Sequence, residues 1–158
     1  MAILERAGER LELLQRTRSV AIVGMSTNPS RASHFVVTYL LGATDWTLYF
    51  VNPRESKIMG RPAYPRLAAL PATPDIVDVF RKTDDLPLVT HEAIACKVPA
   101  VWFQLGLEHE AAATSAAGAG LDVVQNRCLK IEHARFAGGL HVAGFDTGVI
   151  DSRRKRLV

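Results

Sequence analysis

Glycine, serine, asparagine, arginine and a single thiol recur at the polar ends of five short apolar segments, and side chains of these types bind phosphates or react as nucleophiles. The first such end is Gly24-Met25-Ser26-Thr27-Asn28-Pro29-Ser30-Arg31-Ala32-Ser33-His34. Its glycine permits a tight turn, and its small residues let backbone N–H groups approach a ligand. A helix beginning near Ser33 would turn its positive end to the same place, with Arg31 as a charge-assisted partner, which suits a pyrophosphate. The same residues also suit a capped turn with Arg31 in solvent. The second end, Asn52-Pro53-Arg54-Glu55-Ser56-Lys57, offers an amide and two cations fitted to a phosphorylated ribose, or a rigid turn with exposed charges.

The remaining three ends are Phe80-Arg81-Lys82-Thr83, Gln104-Leu105-Gly106 and Gln125-Asn126-Arg127-Cys128. Phe80 could line an adenine or thin-chain channel while Arg81 meets phosphate, and a buried Phe with its neighbouring Arg reaching solvent explains them equally. Gly106 permits close approach of an extended ligand, or simply starts a helix. Cys128 stands beside Arg127, whose charge could lower the thiol's pKa, against the alternative of inert packing. Other chemistries find less support. The first loop lacks the second and third glycines of the dinucleotide fingerprint, and Asn52 stands where a hydride-transfer site carries an acid for the ribose. An NAD(P)-binding redox or sensor protein is therefore the weaker alternative. His34, His91, His109, His133 and His141 form no metal motif, and Ser26, Ser30 and Ser33 form no nucleophile elbow.

Elements able to position these ends follow from the apolar pattern. Leu4, Ala7, Leu11 and Leu14 recur at helical spacing, so residues 1–17 read as an amphipathic helix laid on the domain. Strands are expected at 19–23, 47–51, 75–80, 100–103 and 121–124, and helices at 34–41, 86–96 and 108–117, with a short helical turn at 67–70. Strands alternating with helices predict an α/β domain, doubly wound, of about five mainly parallel strands with helices on both faces. In such a sheet ligands bind beyond the carboxyl ends of the strands, where all five polar segments fall. From Glu132 onward the chain reads as loop with an edge element, and 136–158 as a Gly-rich, basic extension.

At 158 residues and 48% apolar content, one domain is expected. No apolar run approaches the ~20 residues of a membrane span, and Glu5, Arg6, Glu9 and Arg10 interrupt any secretory leader, so a cytoplasmic protein is expected. The net charge of +3 rests on Arg153, Arg154, Lys155 and Arg156; without them the body is at −1 and is no nucleic-acid surface. Cys96 and Cys128 make no disulfide framework or zinc pattern.

In this order and spacing, the five ends resemble the small stand-alone CoA-binding proteins, whose Rossmann-like domain is similar to that of the succinyl-CoA synthetase α subunit. The resemblance runs from about Ser19 to Arg135, setting a domain of 18–135. It rests on Val23-Gly24-Met25-Ser26 with Pro29 to His34, on Val51-Asn52-Pro53, on Asp75 to Arg81, on Val101 to Gly106, and on Asn126 to His133. Ala143 to Gly148 also looks like an extension found in part of that family.

The resemblance implies coenzyme A or an acyl-CoA as ligand. Gly24, Met25, Ser26, Arg31, Ser33 and His34 would hold the pyrophosphate, and Asn52, Pro53 and Arg54 or Lys57 would lie by the phosphorylated ribose. Val79, Phe80 and Arg81 would flank adenosine, Gln104, Leu105 and Gly106 the pantetheine arm, and Cys128 the CoA thiol, where a mixed disulfide is conceivable. Related ligases need a second domain with a phosphorylated histidine, for which this length leaves no room, so a binding protein without ligase activity is expected. A homodimer packed through the N-terminal helix and the tail is compatible with the pattern.

Overall fold

A computed structural model describes residues 2–137. Its centre is a seven-stranded sheet built from β1 (Ser19–Val23), β2 (Thr47–Val51), β3 (Lys57–Ile58), β4 (Arg61–Tyr64), β5 (Ile76–Val79), β6 (Ala100–Phe103) and β7 (Asp122–Val124). The order is β3-β4-β2-β1-β5-β6-β7, parallel throughout except for the β3–β4 pair. Helices are α1 (Ala7–Arg16), α2 (Ala32–Ala43), α3 (Leu86–Ala95), α4 (Glu110–Gly118) and α5 (Leu129–Ala137).

The strands are apolar on both faces because both are covered, as parallel sheets require. Val20, Ile22, Phe50, Ile76 and Trp102 point to a core shared with α1, α2 and α5. Their neighbours Ala21, Val23, Val77, Val79 and Phe103 point to a second core beneath α3 and α4. Alternation along each strand thus assigns every side chain to one of two layers. The doubly wound arrangement is as expected.

Seven strands stand where five were expected, because β3 and β4 were read as loop. They form a hairpin through Met59 and Gly60, both at positive φ (51° and 73°), the twist a two-residue turn between antiparallel strands favours. Pro62 masked β4, yet this strand lies near the sheet edge, where proline is tolerated. The N-terminal helix starts only at Ala7. Before it the chain runs beside β7, with Leu4 N–H donating to the Val123 carbonyl at 2.7 Å and Val123 N–H donating to that of Ala2 at 2.9 Å. The chain from Glu132 to Ala137, expected as loop, continues α5. The Gly-rich, basic extension from Gly138, with Arg153 to Arg156, lies outside the described residues.

Helix α5 escaped its pattern because core-facing places on it and on α1 are charged. Arg10, Glu132 and Arg135 are all buried, at 2%, 0% and 2% exposure. Arg10 Nε lies 3.5 Å from Glu132 Oε1, and Arg135 Nη1 lies 3.8 Å from Glu132 Oε2. Burial holds the Arg10 guanidinium below its ordinary pKa, and the facing Glu132 opposes that. One carboxylate thus serves two buried cations and joins α1 to α5. Removing it takes the facing carboxylate from both buried cations, so Glu132→Ala should cost about 3–5 kcal/mol, read as a lower denaturant midpoint at pH 7.

Candidate functional site

The chain leaves β1 for β2 on one side and later returns to β5 on the other, so the loops after β1 and β5 part and open a crevice. A cleft of about 560 Å³ occupies it. The wall after β1 carries Gly24, Ser26, Arg31 and Ser33, with Val36 on α2; Phe80 and Arg81 follow β5. The other wall carries Gln104, Leu105 and Leu107 after β6, then Cys128 and Ile131 at the start of α5.

Gly24 sets the geometry. Its φ is 86°, and a Cβ there would overlap the Phe80 carbonyl oxygen and press on Arg81 Cδ. Its N–H donates to the Val51 carbonyl at 3.0 Å, and Phe80 N–H donates to the Val23 carbonyl at 2.8 Å. Only a residue without a side chain can pass so close to the end of β5.

Beyond this crossing the loop folds back through Ser26 N–H, which donates to Ser33 Oγ at 3.1 Å. Helix α2 then begins with no side-chain cap and no acid in its first turn. Its positive end, at Ala32 and Ser33 of the cleft lining, is therefore not compensated by a side chain. Arg31 and Arg81 both line this side of the cleft, Arg31 just before α2 and Arg81 against Gly24. Arg81 is paired with Asp85 at 3.3 Å, both partly exposed. This mouth is equipped for an anion.

The wall after β6 and at the start of α5 carries no cation among its lining residues. Cys128 immediately precedes α5, and its carbonyl accepts from Glu132 N–H at 3.0 Å. Trp102 Nε1 donates to the Arg127 carbonyl at 2.8 Å and pins the turn before it. Of the two readings of Cys128, inert packing and activation by Arg127, the structure favours packing. Burial pushes the thiol up, outweighing the N–H groups of Ile131 and Lys130 that favour the thiolate, and nearby Asp78 pushes it up further.

Asp78 lies beneath this wall, wholly buried on β5 and level with Ile22 of β1 and Trp102 of β6. Gln104 Nε2 donates to its Oδ1 at 2.5 Å, while Oδ2 has no partner among the described residues. Burial pushes its pKa up to about 8, against the pull of the Gln104 bond.

Of the expected site residues, Gly24, Ser26, Arg31, Ser33, Phe80, Arg81, Gln104, Leu105 and Cys128 line one cleft. Met25 and Val79 are buried beneath it. Gly106 shapes the turn after β6, donating its N–H to Asn126 Oδ1 at 2.7 Å. His34 faces a separate shallow groove with Phe35 and Lys130. Asn52 spends its amide within the chain: Nδ2 donates to the Met25 carbonyl at 2.9 Å and Oδ1 accepts from Arg54 N–H at 2.8 Å. Pro53, Arg54 and Lys57 are exposed at the ends of β2 and β3, outside the cleft lining. His109, read as a helix-surface residue, caps α4 by accepting from Ala112 N–H at 3.1 Å.

Sequence reading missed Val36, Leu107, Ile131 and Asp78. Val36 and Ile131 follow Ser33 and Cys128 by three residues, so helical spacing already placed them on the same faces. Asp78 was visible as one carboxylate inside Ile-Val-Asp-Val-Phe. Among the described residues no group of three metal-ligating side chains occurs, and no helix is long and apolar enough to cross a membrane.

Comparison with known proteins agrees with this geometry. A family model described as a CoA binding domain matches residues 18–134. The uncharacterized protein YneT of Bacillus subtilis is 35% identical over 123 residues, covering 78% of this chain and 90% of its own length. The crystal structure of a hypothetical protein from Pyrococcus horikoshii superposes with a TM-score of 0.78 at 32% identity, covering 87% of this chain and 99% of that one. A dinucleotide-forming acetyl-coenzyme A synthetase from Candidatus Korarchaeum cryptofilum shares the fold at 22% identity and a TM-score of 0.67, over 73% of this chain and 27% of its own.

Two outcomes follow from the crossing and the buried acid. Gly24→Ala should lose about 1–3 kcal/mol of stability, seen as a lower thermal midpoint. The unfolded chain releases the Asp78 proton near pH 4, whereas the folded chain keeps it to about pH 8. Stability from this group is therefore full below pH 4 and lost as pH rises toward 8. Relative to the wild type, Asp78→Asn should gain up to ~1.4 kcal/mol per pH unit between pH 5 and 8, measured by denaturant unfolding at each pH.

Proposed function

Because the chain belongs to the CoA binding domain family, we propose that it binds coenzyme A, or an acyl derivative of it, at the carboxyl ends of its parallel strands. The observation that carries this reading is the mouth of the cleft. An uncapped helix N-terminus and two arginines converge where Gly24 allows the backbone to approach a ligand. Backbone N–H groups at a helix start, joined by guanidinium groups, suit a pyrophosphate.

On this reading Arg31, Ser26 and Ser33 meet the pyrophosphate with the first turn of α2, and Arg81 adds charge from the β5 side. Phe80 supplies an aromatic face for the nucleotide. Gln104, Leu105 and Leu107 border the path of the pantetheine arm, and the mainly apolar far wall suits its hydrocarbon segments. Asn52, Pro53, Arg54 and Lys57 form the neighbouring rim, where Arg54 and Lys57 can meet a ribose phosphate. Asn52 contributes by holding the loop, since its amide already bridges β2 to Met25.

The reading is one of binding without ligase activity of its own. The described residues lining the cleft include neither a histidine nor a carboxylate, the groups that would carry a phosphoryl intermediate. The free thiols Cys96 and Cys128 support a reducing compartment such as the cytoplasm.

Titration calorimetry with coenzyme A should give one-site binding. Arg31→Ala and Arg81→Ala should each weaken it about tenfold and flatten its dependence on salt, since each removes a charge-assisted contact to phosphate. No heat with millimolar coenzyme A, on folded protein, would overturn the reading.

A further inference from the structure

The turn after β6 carries two leucines of the cleft wall, Leu105 and Leu107, and little core holds it there. Leu107 packs against the core beneath α3 and α4, but Leu105 is 59% exposed and Gly106 beside it is exposed as well. Burial fixes a side chain only where neighbours surround it, so hydrogen bonds must set where Leu105 stands.

Those bonds come from the two residues that follow β7. Gly106 N–H donates to Asn126 Oδ1 at 2.7 Å, and Asn126 N–H donates to the Leu107 carbonyl at 3.0 Å. His109 N–H donates to Gln125 Oε1 at 2.9 Å, and the turn closes on itself where Leu107 N–H donates to the Gln104 carbonyl at 2.8 Å. Asn126 has a φ of 53°, a left-handed conformation that asparagine adopts more readily than most residues, and from it both the N–H and the side-chain oxygen bond to the turn. The anchor is itself firm. The next carbonyl, that of Arg127, accepts from Nε1 of the wholly buried Trp102 at 2.8 Å. When such a wall is ordered before the ligand arrives, binding loses no free energy in ordering it.

We propose that Asn126 is a positioning residue for ligand binding, holding the turn after β6 so that Leu105 stands as an apolar rail along the uncharged arm of the ligand. This rests on the coenzyme A reading above, in which the pyrophosphate lies with Arg31 and Arg81 and the wall without cations borders the pantetheine arm. It adds the residue that sets this wall in place.

The test is calorimetry of the full chain with two probes, coenzyme A and 3′-phospho-ADP, which keeps the nucleotide and its pyrophosphate and lacks the arm. Four proteins are compared: wild type, Leu105→Ala, Asn126→Gly and the double variant. Glycine keeps the positive φ and the N–H that donates to Leu107, and removes only the oxygen that accepts from Gly106. Both positions are exposed, so neither substitution opens the core. Each single variant should bind coenzyme A about threefold to tenfold more weakly and 3′-phospho-ADP as the wild type does. The double variant should bind coenzyme A no more weakly than the weaker single variant, because a residue that acts through Leu105 has nothing to position once that side chain is gone.

Wild-type affinity for coenzyme A in Leu105→Ala or in Asn126→Gly would overturn the proposal and leave the coenzyme A reading intact. So would losses that multiply in the double variant, or an equal loss toward 3′-phospho-ADP, since either would mean that Asn126 acts through the fold at large. No binding of coenzyme A by the wild type would instead overturn that reading and the proposal together.

Discussion

The Phe80 carbonyl oxygen occupies the space that any side chain at position 24 would need. That contact lets the loop after β1 pass across the end of β5 before α2 begins. From it follow the hydrogen bonds linking Val23 to Phe80 and Gly24 to Val51, hence the alignment of three strand ends. The first turn of α2 then lines the same cleft as Arg81. Without the crossing there would still be a parallel sheet, but the helix terminus and the two cations would not share one mouth.

Polar groups inside the α1, α2 and α5 layer do a different job. Glu132 holds Arg10 and Arg135 where apolar side chains would pack as well, and breaking such a cluster costs far more than building it gains. Its structural consequence is positional: α5 is anchored through Glu132 in its first turn, so its N-terminus, with Cys128, stays at the cleft. Trp102 anchors the preceding turn through the Arg127 carbonyl. Asp78 and Gln104 form a second buried pair in this layer, and burial keeps the acid protonated through the neutral range. Both pairs sit at places where hydrophobic patterning alone would have put leucine.

The fold was legible where one side chain type dominated. Runs such as Val20-Ala21-Ile22-Val23 and Val101-Trp102-Phe103 are apolar at every position because helices cover both faces, and their alternation with helical segments implied a parallel sheet. Legibility failed where pairing replaced hydrophobicity, as at Glu132 and Arg135 in α5, and where a strand was too short or carried proline, as in β3 and β4. In the cleft, Gly24, Arg31, Phe80, Arg81, Gln104 and Cys128 could be named because each follows a strand. For Asn52 the choice between ligand contact and turn stayed open, since only the fold brings the Met25 carbonyl within reach of its amide. For Cys128 the choice between activation and packing stayed open, because an adjacent Arg127 is visible in sequence and burial is not.

Strand ends, loop chemistry and the glycine at position 24 are local properties, and the sequence by itself determined them. Periodicity and steric freedom depend on neighbours along the chain. Which ends share a cleft, which cations face it, and whether a buried group is charged were decided only in the tertiary structure. Those outcomes depend on desolvation and on partners brought together from distant positions, as with Asp78 and Gln104 or Arg10 and Glu132, and neither quantity can be read from adjacency in the chain.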